Sequence, residues 1–169
     1  MLGVVMRSMI LFLMLLISFG VNAEECRLDF NESEFIDSLG KEPVRVNSIK
    51  ENGIIKKQYE FRKELSTEEA LSDDAESKYE PQFYLTLYQP PCTERVKIWF
   101  YKDNGNTQKL SNAVLAGRAF KYLSGVDEAI FENKMKKFSS VNSFESIDSK
   151  SESKFLKIGD IYSIDVFLR

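Results

Sequence analysis

An α+β fold, an antiparallel sheet of about five or six strands built from hairpins with three or four helices packed mainly on one face, is predicted by three observations. Alternating apolar segments recur in pairs around turn-forming residues, two consecutive segments carry helical apolar spacing, and the length suits one ordinary core.

The first 23 residues hold a single charge, Arg7, followed by an apolar run over 9–17 and small residues at Val21 and Ala23. That is the order of a cleaved export signal, which predicts a leader over 1–23 and a single domain over 24–169. The run falls short of a membrane span, so no stable anchor is expected once the leader is removed.

Asn31 or Ser33 caps a short helix that carries apolar residues at Phe35, Ile36 and Leu39 and stops at Gly40. Segments 44–49 and 55–61 alternate in part and flank Asn52-Gly53. Both turn residues tolerate positive φ, so this is a first hairpin. Residues 64–80 turn acidic, and Ser66 or Thr67 ahead of Glu69 forms a capping box, predicting a short exposed helix and a loop ended by Pro81. Phe83, Leu85 and Leu87 then alternate with Tyr84, Thr86 and Tyr88, while Val96, Ile98 and Phe100 alternate with Lys97, Trp99 and Tyr101, giving a second hairpin. Asp103-Asn104-Gly105-Asn106 reads as another turn.

Apolar residues wrap a wide arc over 111–123, which predicts a largely buried helix. Ser124 with Asp127 caps a second helix whose core face is Val126, Ile130, Phe131, Met135 and Phe138. Residues 139–153 contain seven serines and are expected to form an exposed loop with at most one irregular strand. Segments 155–158 and 161–168, joined by Gly159-Asp160, form a third hairpin. Its last strand is apolar on both faces, as a central strand would be.

Cys26 and Cys92 are expected to be joined, because an exported chain with two cysteines matures where thiols are oxidised. The chain has no histidine, which removes the Ser-His-Asp and Cys-His arrangements and histidine metal sites. The Ser-x-x-Lys spacings at Ser38/Lys41 and Ser151/Lys154 occur as often as chance placement predicts. Glu69, Asp73, Asp74 and Glu76 offer a carboxylate pair, as any acidic surface helix does, and 103–106 lacks the remaining ligands of a calcium loop. No metal, cofactor or catalytic residue is therefore assigned. The net charge of −3, or −4 without Arg7, supplies no electrostatic footprint for nucleic acid.

The informative feature is the second face of the 83–101 hairpin: Tyr84, Tyr88, Trp99 and Tyr101, with Arg95 and Lys97 between them. Sheets packed by helices commonly hide such amphipathic aromatics, so a covering helix is the default expectation. Left open, the same residues form an anchor-rich binding face. Two classes of function follow. The first is a periplasmic or secreted, non-enzymatic protein that binds another protein, such as an immunity protein or an inhibitor of a secreted toxin or hydrolase. The second is a carboxylate-dependent hydrolase or binder of envelope polysaccharide, which needs two acids converging in a cleft. An assembly component that binds a neighbour through a free strand edge is a third.

Overall fold

The computed structural model describes residues 26–102 and 110–169; the expected leader and the 103–106 turn lie outside them. Seven strands form one sheet: β1 Arg45–Glu51, β2 Ile54–Glu60, β3 Phe83–Tyr88, β4 Arg95–Tyr101, β5 Ser143–Ile147, β6 Ser151–Ile158 and β7 Ile161–Leu168. Their order is β1-β2-β3-β4-β7-β6-β5, and all neighbours are antiparallel. The helices are α1 Glu32–Ser38, the single turns α2 Thr67–Ala70 and α3 Ala75–Lys78, then α4 Asn112–Ser124 and α5 Glu128–Lys136, extended by a 3-10 turn over Lys137–Ser139. None of the helices among the described residues is long and apolar enough to cross a membrane.

Local chemistry accounts for most boundaries. Asn31 caps α1 by accepting from the Glu34 N–H at 3.2 Å, and Gly40 ends it at φ +66. A side chain there would also collide with Arg118, whose Nη1 donates to the Leu39 carbonyl at 2.7 Å. Asn52 and Gly53 both take positive φ at the tip of the β1–β2 hairpin. Ser66 and Glu69 complete the capping box of α2.

The core lies between one sheet face and the helices. Leu85, Ile98, Ile164 and Phe155, from β3, β4, β7 and β6, share it with Leu115, Ala119 and Phe120 of α4. Each fully buried large side chain contributes roughly 1.5–3 kcal/mol of transfer free energy. Beyond α4, α5 is shallower than its spacing predicts. Phe131 is buried, but Ile130 is 45% exposed and on the outside.

The sheet gains strands where the sequence predicts a loop. Within 139–153, β5 and the start of β6 pair with each other, and Ser151 and Ser153 are buried on the helical face. Serine has little intrinsic preference for strands, so its weak local signal is overridden by pairing with β7 on the next register. One ion pair fastens this region to the helices: Lys134 of α5 donates to Asp148 at 2.9 Å and also to Ser146, and the lysine and aspartate side chains are 13% and 7% exposed. Lys134→Met strands the Asp148 carboxylate and is expected to lower the unfolding free energy by about 2 kcal/mol in urea titrations; a change near zero would show that water replaces the ammonium.

Candidate functional site

Strand register converts the alternation of single strands into a two-dimensional map of the open face. Glu60, Tyr84, Trp99 and Ser163 stand in one row across β2, β3, β4 and β7. Gln58, Thr86, Lys97 and Asp165 form the next, and Lys56, Tyr88, Arg95 and Phe167 the third. All six residues singled out from the sequence, Tyr84, Tyr88, Arg95, Lys97, Trp99 and Tyr101, therefore share one surface.

Among the described residues, no long helix takes the covering place that the default expectation gives it. Helices α1, α4 and α5 pack on the other face because that face presents Phe83, Leu85, Leu87, Val96, Ile98 and Phe100, all buried, and an apolar helix stripe gains most by meeting an all-apolar sheet face. The aromatic face is left partly exposed. A groove of about 390 Å³ runs over it, with Trp99, Tyr84 and Tyr88 on one side and Lys56 and Ile49 towards the β1 edge.

The side chains along the groove are held in place by one another. Tyr84 and Trp99 rings lie 5.2 Å apart, and Tyr101 meets Trp99 edge-on at 5.2 Å. The Tyr84 hydroxyl donates to Glu64 at 2.6 Å. Burial first, and then that carboxylate, push its pKa well above the usual phenol range, so it remains a donor at any physiological pH. At the other end, Arg95 donates through Nε at 2.9 Å and Nη2 at 2.6 Å to one oxygen of Asp165, while its guanidinium lies 4.2 Å from the Tyr88 ring centre and 5.4 Å from that of Phe167. Lys56 is paired with Glu51, and hydrogen bonding to that acid raises the lysine pKa. Lys97, between the two clusters, differs from its neighbours: among the described residues no carboxylate lies in ion-pair range of it.

Comparison of the chain with protein-family models, curated proteins and solved structures finds no match. The site must therefore be read from its own geometry.

Four participants, Lys56, Gln58, Asp165 and Phe167, escape a reading of hairpins one at a time. The alternation in 55–61 assigns Lys56 and Gln58 to a face, but only the β2–β3 and β4–β7 registers bring them beside the aromatics. The expected disulfide is present, with Cys26 and Cys92 joined at an S–S distance of 2.01 Å, and it ties the start of the domain to the β3–β4 turn. Arg27 and Glu94 form an exposed ion pair at 3.4 Å beside it.

Ser151 and Lys154 sit on opposite faces of β6, since a spacing of three in a strand reverses direction. The Ser38 hydroxyl is turned onto the Phe35 carbonyl at 2.6 Å. Glu69 is held down to about 2 by Lys63 and the Ser66 cap, and Asp74 is lowered chiefly by Lys78, the reverse of the raised pKa that a general acid requires. Among the described residues, no group of three or more acidic or cysteine side chains is placed to hold a metal ion.

Proposed function

We propose that this is an exported, non-enzymatic protein whose open sheet face binds another protein, in the manner of an immunity protein or inhibitor that masks a secreted toxin or hydrolase. The observation that carries the reading is the open face itself: four aromatic residues and an arginine, the types that anchor interfaces, lie side by side and partly exposed, and among the described residues the long helices pack on the opposite side of the sheet. Their mutual contacts fix the rotamers in advance, so binding forfeits little side-chain entropy. Lys97 supplies a charge that an acidic group on the partner would complement. The cystine and the leader pattern support export to an oxidising compartment, periplasmic or extracellular.

The test is a pulldown from envelope extract under non-reducing conditions, comparing the oxidised protein with a Trp99→Ala/Tyr101→Ala variant. One stoichiometric partner is expected with the parent protein. Removing two anchors weakens its binding by about 1,000-fold. The melting midpoint moves by no more than about 4 °C, as both side chains are partly exposed and lie outside the core cluster. Unchanged capture by the variant, or envelope polysaccharide bound with no protein partner, would replace the reading, and a large loss of stability would make the face structural.

A further inference from the structure

The two edges of the sheet are unlike. Six of the seven β1 residues are exposed, Asn47 being the exception. The apolar side chains of the β1–β2 hairpin stand on both of its faces: Val46 is 44%, Ile49 46% and Ile55 47% exposed. At the opposite edge, β5 has five residues and is covered on one side, where Phe144 stacks on Phe155 at 4.5 Å and Lys137 lies over the Phe144 ring.

Hydrogen-bond parity shows which β1 groups point outward. The Phe61 N–H donates to the Phe83 carbonyl at 3.1 Å and the Gln89 N–H to the Ile55 carbonyl at 2.7 Å, so odd-numbered residues of β2 bond to β3. Even-numbered ones bond to β1, as the 2.7 Å bond from the Val44 N–H to the Glu60 carbonyl confirms. In β1 the partners of those even positions are Arg45, Asn47, Ile49 and Glu51. Val46, Ser48 and Lys50 thus aim both backbone groups away from the sheet, where no strand lies among the described residues.

We infer that β1 is a strand-addition edge for a second copy of this chain, paired antiparallel about a two-fold axis at Ser48. In that register every outward residue meets an outward residue, Val46 opposite Lys50 and Ser48 opposite itself, which gives an uninterrupted ladder. The closely spaced pairs between them place Arg45 opposite Glu51 twice, so the charges that ordinarily guard an edge become attractive. Centring the pair on Lys50 instead would set like charges together and shorten the ladder. The β5 edge lacks this complementarity. The Lys157 N–H to Asn142 carbonyl and Asp148 N–H to Ser151 carbonyl bonds leave Ser143, Glu145 and Ile147 pointing outward, and the full-length self-pairing sets Glu145 against itself. A β1 dimer also joins the two open faces side by side on one continuous sheet.

Sedimentation of the purified, oxidised protein over a concentration series tests this, together with two variants at the axis. The parent protein is expected to approach twice the monomer mass. Ser48→Pro removes an outward N–H without breaking a β1–β2 bond, and it returns the protein to the monomer mass with its melting transition retained. Ser48→Cys places two thiols across a hydrogen-bonded pair about 5.5 Å apart at Cα, within disulfide reach, and yields a covalent dimer on a non-reducing gel. Val46→Cys, which faces Lys50 of the other copy, yields none. A parent protein that stays monomeric throughout, a dimer that Ser48→Pro leaves intact, or a Ser48→Cys protein that never cross-links would each overturn the inference. So would a monomer whose β1 instead takes up a strand from a different protein.

Discussion

Replacing Cys26 and Cys92 together by serine lowers the unfolding free energy by about 4 kcal/mol, and the melting midpoint by about 10 °C. The bond closes a loop of 66 residues, and its loss returns that loop's freedom to the unfolded chain. Native contacts account for little of the effect, since the neighbouring Arg27–Glu94 pair is largely exposed, with side chains 73% and 47% accessible. Urea titrations of the oxidised, reduced and double-serine forms separate the contributions. The reduced and serine forms should agree, with an m-value larger than that of the oxidised protein because an uncross-linked chain expands further. A loss under about 1 kcal/mol would mean that residual structure already holds the ends of the loop together in the unfolded chain.

Asn112→Ala is expected to cost about 3 kcal/mol, a large effect for one small polar side chain. Asn112 is fully buried at the start of α4, and its amide nitrogen donates to the carbonyls of Pro81 at 2.9 Å, Tyr101 at 3.1 Å and Gln82 at 3.3 Å. Its oxygen accepts from Nε of Arg62 at 3.0 Å, and that arginine is itself only 2% exposed. Truncation deprives a buried guanidinium of one acceptor and several carbonyls of a donor at once, so the cost reflects desolvated groups left behind more than the bonds removed. Arg62 also donates to the Leu110 carbonyl at 2.5 Å, which keeps it anchored in the variant and holds the penalty below that of an isolated buried charge. The denaturation midpoint at unchanged m-value is the measurement. A shift worth less than about 0.5 kcal/mol would show that water enters and satisfies the vacated positions.

The elements legible in the sequence are those whose signal is local. Asn52-Gly53 specifies a hairpin through positive φ, Ser66 and Glu69 specify a helix start through reciprocal bonds, and the strict alternation of 83–88 and 95–101 specifies two faces. The extra strand content of 143–153 was hidden because serines pack there as small buried groups, a role that depends on α4 and on β7 and not on their neighbours in sequence. Asn112 reads locally as the residue after a helix cap, and nothing nearby in sequence indicates that carbonyls from 81, 82 and 101 converge on it. The candidate face divides the same way. Its six residues were legible as one side of one hairpin, while its uncovered state depended on which side won the competition for the helices.

That competition also grades the sheet mechanically. Strands β4 and β7 are interior, with α4 packed across them, whereas β1 lies at the sheet edge almost wholly in solvent. Detaching β1 exposes little new apolar surface, so its amides exchange with solvent through a low-energy local fluctuation, while those of β4 and β7 wait for global unfolding. The part of the molecule that frays first is the part with the freest edge, so docking a strand there would protect the least protected region of the native state.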